Sequence, residues 1–436
     1  MNVTIHPSSL GGAIRAVASK SMAHRLLILA ALAPTTCTLR CSTSSADIEA
    51  TASCLVALGL RDARHPGTAP LEGATQAAAS PADKTTLDCG ESGSTLRFML
   101  PVVGALGREV RMLRRGRLSQ RPMLPFAEQL ERHGMRIAED GDALEVSGAL
   151  RGGTFVLPGD VSSQYASGLL MAAPFLGGDE PFELRLRQPV QSRPYLDLTL
   201  HALELFGVSF AYTKEASHEV FRLDQSANTA SWQANAPSEL EVEGDWSNAA
   251  FWLAAGALER EGLTVFGLDL ASPQGDRAIL AALATLGARI ARKGDAARAT
   301  ADRPRAARIN VGAIPDLVPP LAAVCATTPG TSVFCNAGRL RLKESDRLAS
   351  VSGAINALGG KARVDGDDLV VEGVDHLAGG VVDTHNDHRI AMMAAVMATH
   401  AAGEVTIRQA ECVAKSYPGF FEDYERLGGI TTREGA

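Results

Sequence analysis

The stretch Arg339-Leu-Arg-Leu-Lys-Glu-Ser-Asp-Arg347 brings two cations, Lys343 and Arg347, and a carboxylate, Glu344, into one short corner of chain. Cations at a strand-to-helix corner suit an anionic ligand, and a carboxylate among them suits proton transfer. Basic residues alternating at 339, 341 and 343 predict a short strand, and Ser345 or Asp346 predicts the cap of a helix opening at Arg347. Other stretches offer matching chemistry. Lys20 and Arg25 lie about a turn and a half apart on a helical pattern, with Ser21 beside them. Gly90-Glu-Ser-Gly93 is a turn where backbone can approach a ligand closely, and Arg121-Pro122 follows it. That turn is neither a dinucleotide fingerprint nor a P-loop. Ser162, Ser163 and Gln164 are neutral donors at a helix start, followed by Ser192-Arg-Pro-Tyr195. Asp316, Asp387-His388-Arg389 and Lys415 come later. Singly, each reads as a cap or a surface charge. Together they supply partners for about two phosphates and two carboxylates, with isolated acids for proton transfer.

The elements that position these residues have to come from a chain of 436 residues, too long for one ordinary core, so two domains are expected. Hydrophobic residues make up 46% and mean hydropathy is close to zero, which describes a globular protein in water. A net charge of -7 and a pI near 5.9 argue against general nucleic-acid binding, so any basic site is local. Seven cysteines without a Cys-x-x-Cys pair point to a reducing compartment. The apolar run Leu26–Ala33 is far shorter than the roughly 20 residues a spanning helix needs, and the N-terminus lacks a secretory pattern; a cytoplasmic protein is expected. Only seven of the 42 basic residues are lysine, and three of these, Lys20, Lys343 and Lys415, fall in the stretches above. Where arginine serves as the ordinary surface charge, a lysine suggests a compact or tunable charge.

Two series of signals recur at a period of roughly seventy residues, the mark of internal repetition. Glycines at 59, 134, 207, 287, 359 and 428 each follow an amphipathic helical ending, as in Leu203-Glu-Leu-Phe-Gly207. Polar residues at Ser19–Ser21, Ser92–Thr95, Ser162–Gln164, Asp245–Asn248, Asp316 and Asp387–Arg389 each introduce an Ala/Leu/Met-rich run, apolar nearly all round and so buried. Asp-Gly turns between alternating runs at 139–142 and 365–368 predict hairpins. The unit reads βαβαββ, about six times over, with Arg61–Thr85 as a surface insertion.

At this point the motifs resemble a known family, the enolpyruvyl transferases of the 3-phosphoshikimate 1-carboxyvinyltransferase (EPSP synthase) type. The resemblance rests on Ser19-Lys-Ser-x-x-x-Arg25, the Gly90–Arg97 turn, Gln120-Arg-Pro122, Val161-Ser-Ser-Gln164 and Ser192-x-Pro-Tyr195. It continues through Ile314-Pro-Asp316, Lys343-Glu-Ser-Asp-Arg-Leu348, Asn386-Asp-His-Arg-Ile-Ala-Met392 and Lys415-Ser-Tyr-Pro418, in order across nearly the whole chain. It implies two α/β domains, each an inside-out barrel of three βαβαββ repeats, with the active site in the cleft between them. One domain would hold residues 19–242; the other, 1–18 and 243–436. The resemblance assigns shikimate-3-phosphate to Lys20, Ser21, Arg25, Ser162, Ser163, Gln164, Ser192, Tyr195, Asp316 and Lys343. It assigns phosphoenolpyruvate to Lys20, Gly93, Arg121, Gln164, Arg347, Arg389 and Lys415, and proton transfer to Asp316 and Glu344 with Lys20 assisting. Glu91 and Ser94 depart from the family's usual Asn and Thr, and Arg339 stands where many members have Asn.

The implied reaction moves an intact carboxyvinyl group from phosphoenolpyruvate to the 5-hydroxyl of shikimate-3-phosphate and releases phosphate. It is acid–base work on pre-positioned reactants, for which no metal and no cofactor is expected. The expected partners are the two small substrates, with no nucleic acid and no membrane, and the expected state is a monomer. A related transferase acting on UDP-N-acetylglucosamine would show a reactive loop cysteine, for which Cys89 is the nearest candidate. A non-catalytic ring of repeated units would show a strongly basic inner surface, which the acidic pI opposes.

Overall fold

The repeat is most legible between residues 85 and 148. Strand Thr85–Asp88 leads into helix Gly93–Ala105, strand Val110–Leu113, helix Leu124–Arg132, and the hairpin Met135–Asp140 and Ala143–Gly148. The first two strands pair in parallel, and the hairpin adds antiparallel through its second strand. Asp140 lies opposite Ala143, so Gly141-Asp142 forms a two-residue turn, with Gly141 at φ 57°.

The computed structural model describes residues 1–65, 84–223 and 236–435. Most of the Arg61–Thr85 stretch expected as an insertion lies outside them. Among the described residues, five four-stranded sheets share this order and sense of pairing. A sixth has two strands, Thr38–Arg40 parallel to Glu239–Glu241. The six glycines expected to end the outer helices all have positive φ, from 78° to 106°. A Cβ is disfavoured there, which is why the position repeats as glycine.

The described residues divide into two compact units. The first comprises Lys20–Ser42 and Ala46–Val242; the second, Met1–Ser19, Thr43–Ser45 and Glu243–Ala436. The N-terminal segment belongs with the C-terminal half because it completes two sheets there. Strand Asn2–His6 sits between Val405–Arg408 and Ile430–Glu434, and Gly12–Arg15 pairs with Leu263–Phe266.

Each unit has inner and outer helices, as the apolar patterns predict. The inner helices of the first unit are Lys20–Leu32, Gly93–Ala105 and Ser163–Ala172. Those of the second are Trp246–Leu258, Val318–Cys325 and His388–Ala398, the last buried at every residue. The outer helix Leu124–Arg132 buries only Phe126, Gln129 and Leu130, one stripe of its surface. Burying a Phe or Leu side chain stabilises by roughly 1.5–3 kcal/mol, so this stripe is what holds the helix down. Close approach of inner helices depends on Gly168: a Cβ there would meet the Arg97 carbonyl and come within 3.0 Å of the Pro101 ring. No helix of the described residues is long and apolar enough to cross a membrane.

One expectation fails. Residues 339–343 do not form a strand; Gly338–Leu342 is a 3-10 helix. The sheet beside it is already built from 308–310, 331–335, 361–365 and 368–372. The chain leaves it through Asn336 at φ 60° and has to turn before Arg347. Leu340 is buried, whereas Leu342 points out, 43% exposed, so the alternation does not mark a sheet face.

Candidate active site

The inner helix starts carry the chemistry in both units. In the first unit, Lys20 and Ser21 open helix Lys20–Leu32, and Lys20 Nζ lies 2.9 Å from Asp47 Oδ2. One turn on, Arg25 is buried. It donates to Thr199 Oγ1 at 2.8 Å, the Ser21 carbonyl at 2.6 Å, the Tyr195 carbonyl at 3.0 Å and Ser167 Oγ at 3.2 Å. Ser21, Arg25 and Tyr195 are thereby tied together, and Ser192, with φ 54°, accepts from the Tyr195 N–H through its carbonyl. Every hydrogen bond of Arg25 among the described residues goes to a neutral oxygen. Burial without a counter-charge pushes its proton affinity down to about 9.

A second group forms where the next two inner helices begin. Ser92 caps Gly93–Ala105, and Ser162 caps Ser163–Ala172 by accepting from the Gln164 N–H at 3.3 Å. The Gln164 amide is fixed at both ends, taking a hydrogen bond from Arg97 Nη1 at 2.7 Å and giving one to Ser94 Oγ at 3.0 Å. Gly93 faces the guanidinium groups of Arg121 and Arg97, and a Cβ there would come within 2.7 Å of Arg97 Nη1. Arg97 is buried, and its Nε has no acceptor among the described residues. Burial, then the nearby Arg121 charge, pushes it down to about 9. A buried chain of hydrogen bonds, Ser92–Thr95–Thr51–His24, links these helix starts, and Thr95 also reaches the Asp47 carbonyl.

The second unit arranges charge differently. Arg347, the first residue of helix Arg347–Ala357, is buried at the centre of three carboxylates. Its Nη1 meets Asp316 Oδ1 at 2.7 Å, its Nη2 meets Glu344 Oε2 at 2.9 Å, and its Nε meets Asp387 Oδ2 at 2.7 Å. These acids hold Arg347 above its ordinary proton affinity despite burial, led by Asp387 and then Glu344. Asp316 also contacts Lys343 Nζ at 3.3 Å and Arg389 Nη2 at 3.4 Å. His388 Nδ1 lies 3.0 Å from Glu344 Oε2. Ser345 donates to Asp387, and Asp346, one of the two expected caps, accepts from the Ala349 N–H. Lys415 Nζ donates to the Asn386 carbonyl at 2.7 Å.

The sequence-predicted residues therefore gather into three sets. Lys20, Ser21, Arg25, Ser192 and Tyr195 form one; Gly93, Arg121, Ser162, Ser163 and Gln164 form another. Asp316, Lys343, Glu344, Arg347, Arg389 and Lys415 form the third, in the other unit. Arg97 and Asp387 were within quoted motifs but carried no role. Arg97 could have been suspected as an arginine one turn into an otherwise apolar helical run, where a surface charge has no place.

Glu344, Asp387 and His388 bring ligand-type atoms within 4.8 Å of one another, the spacing of a metal site. Arg347 donates to both carboxylates at 2.7–3.2 Å, so the positive charge a metal would supply is already in place. Cys89 is fully buried, and its hydrogen bond with Cys54, then burial, raises its thiol well above the ordinary value. It is not the reactive thiolate that the UDP-sugar rival requires.

Comparison with known proteins identifies the family. The family model for EPSP synthase (3-phosphoshikimate 1-carboxyvinyltransferase) matches residues 5–424. A 3-phosphoshikimate 1-carboxyvinyltransferase of Clostridium kluyveri is 35% identical, over 98% of this chain and 97% of that protein. One from Clostridium acetobutylicum is 36% identical, over 98% and 97%. Among solved structures, an EPSP synthase from Acinetobacter baumannii superimposes with TM-score 0.72 at 23% identity, over 99% of this chain and 100% of that one. The enolpyruvyl transferase NikO from Streptomyces tendae gives 0.69 at 18%, over 100% and 99%. These two likenesses concern the fold.

Proposed function

Because the chain belongs to the EPSP synthase (3-phosphoshikimate 1-carboxyvinyltransferase) family, we propose that the three residue sets serve one reaction, with Asp316 and Glu344 as its proton carriers. The chain transfers the carboxyvinyl group of phosphoenolpyruvate to the 5-hydroxyl of shikimate-3-phosphate and releases phosphate, in the shikimate route to aromatic amino acids. The observation that carries the residue roles is the meeting of Asp316 and Glu344 on the single buried guanidinium of Arg347.

In this reading Asp316 accepts the 5-hydroxyl proton. Lys343, Arg347 and Arg389 surround it and favour its ionised form. Lys20 assists at the reacting centre. Glu344 gives a proton to C3 of phosphoenolpyruvate and takes one back as phosphate leaves, with Arg347 holding its Oε2 and His388 Nδ1 3.0 Å from it. Ser21, Arg25, Ser162, Ser163, Gln164, Ser192, Tyr195, Asp316 and Lys343 bind shikimate-3-phosphate together with Lys20. Phosphoenolpyruvate is held by Lys20, Gly93, Arg121, Gln164, Arg347, Arg389 and Lys415. Arg25 and Arg97 support an anionic ligand, because each is a buried cation with only neutral hydrogen-bond acceptors among the described residues. All seven cysteines are free thiols, which supports work in the cytoplasm, and the active species is a monomer, to be checked by sedimentation.

The test is isotopic. In deuterated water the parent is expected to place deuterium in the methylene of phosphoenolpyruvate and product, because a methyl intermediate rotates before elimination. Glu344→Gln is expected to keep substrate binding, lose roughly 10²–10⁴ in turnover, and slow the exchange in step. Exchange at the parental rate in that variant would remove Glu344 from its role.

A further inference from the structure

We propose that Thr199 and Ser167, two buried hydroxyls outside every motif above, are positioning residues for Arg25: they aim its guanidinium through neutral oxygens and leave its charge to shikimate-3-phosphate. This rests on the reading of Arg25 as a residue that binds that substrate.

Both hydroxyls sit one helical turn behind residues already assigned to the same substrate. Ser167 follows Ser163 on helix Ser163–Ala172, and Thr199 follows Tyr195 on helix Arg193–Leu205. Each is four positions on, so it shares a helix face with the residue it backs. Both are fully buried. Arg25 reaches them from a third helix, Lys20–Leu32. Its Nε donates to Thr199 Oγ1 at 2.8 Å, and its Nη2 donates to Ser167 Oγ at 3.2 Å. The two hydroxyl oxygens are 2.7 Å apart, and Thr199 Oγ1 is also 2.9 Å from the Tyr195 carbonyl. That carbonyl accepts from Arg25 Nη2 as well, at 3.0 Å. Thr199 therefore joins the side chain of Arg25, the hydroxyl of Ser167 and the backbone of Tyr195.

A hydroxyl has one proton and two lone pairs. With the Thr199 proton turned to Ser167 or to the Tyr195 carbonyl, a lone pair is left for Arg25 Nε. A threonine inside a helix commonly bonds only the carbonyl four residues back; here the same oxygen also anchors a cation. The flat face of the guanidinium lies over the Phe98 ring, 5.0 Å from its centroid, so the ring limits tilt while the hydroxyls fix rotation in the plane. Nη1 donates to the Ser21 carbonyl at 2.6 Å. Four of the five guanidinium N–H groups are thus used, and the fifth, on Nη1, has no acceptor among the described residues. A carboxylate at 167 or 199 would grip Arg25 harder but cancel its charge. Neutral acceptors set the direction and leave the charge for a bound anion to compensate.

The experiment is calorimetric titration of the full chain with shikimate-3-phosphate, alongside steady-state kinetics. Thr199→Val keeps the branched shape and removes the acceptor. Kd and KM for shikimate-3-phosphate are expected to rise roughly 10–100-fold, with kcat and the KM for phosphoenolpyruvate within about threefold. Thr199→Ser restores the hydroxyl and is expected to bring Kd back to within about threefold of the parent. A double-mutant cycle separates positioning from a merely structural role. In the Arg25→Met background, Thr199→Val is expected to change Kd by less than about twofold, because its effect passes through Arg25. A parental Kd in Thr199→Val overturns the inference, and so does an equal rise with and without Arg25. If Arg25→Met binds shikimate-3-phosphate as tightly as the parent, the reading of Arg25 falls and the inference with it. Should Thr199→Val not fold, Ser167→Ala removes the other hydroxyl and is expected to raise Kd roughly 3–10-fold; an unchanged Kd there overturns the inference.

Discussion

Inner helices of the two units begin with opposite chemistry. In the first unit they open at Lys20 or are capped by Ser92 and Ser162; in the second they are capped by Asp245 and Asp387 or preceded by Asp316. A serine hydroxyl satisfies a helix N–H and leaves the positive end of the helix uncancelled, whereas an aspartate satisfies it and cancels the charge. Three arginines buried beside these helix starts follow suit. Arg25 and Arg97 have neutral acceptors and are pushed down to about 9; Arg347, equally buried, is raised by three carboxylates. A buried cation can thus have its counter-charge in the same chain or leave that place to a ligand. In the proposed reading Arg25 and Arg97 of the first unit await an anionic ligand, whereas Asp316 and Glu344 of the second move protons.

Arg347→Met should give the largest effect. It leaves Asp316, Glu344 and Asp387 together without their shared cation and is expected to destabilise the fold by about 3–5 kcal/mol, read by denaturant unfolding. Next comes anion binding in the first unit. Inorganic phosphate at about a hundred times its Kd is expected to raise the unfolding free energy by about 2.7 kcal/mol, and Arg25→Met to abolish that gain. Smallest is the effect of Arg97→Met on the unliganded fold, expected within about 1 kcal/mol because no carboxylate loses a partner. Its affinity for phosphoenolpyruvate, by titration, is expected to drop roughly 10–100-fold. If Arg97→Met destabilised as much as Arg347→Met, or Arg25→Met left the phosphate effect intact, the contrast between the units would not hold.

Much of the fold was legible because its signals are local. The positive-φ glycines, the turns at Gly141 and Gly366, and the caps Ser92, Ser162, Asp346 and Asp387 are each decided within a few residues. The misread element, 338–342, failed because alternation over five residues is too short to tell a strand from a tight helix when no sheet partner is known. The candidate site was legible as motifs but not as a charge arrangement. Arg97 shows this: its position on an inner helix is visible in the sequence, but its hold on Gln164, 67 residues away, is not.

By itself, the sequence determined the residue types, the seventy-residue period with its helix and hairpin boundaries, and the motifs that assign the family. These depend on backbone preferences and neighbours in the chain. The tertiary structure alone decided which charges are compensated. Arg347 meets Asp316 from 31 residues before it and Asp387 from 40 after it, whereas Arg25 meets Thr199 and Tyr195 from a distant helix and, among the described residues, no acid. Charge interactions depend on separation and burial in space, and a one-dimensional spacing records neither.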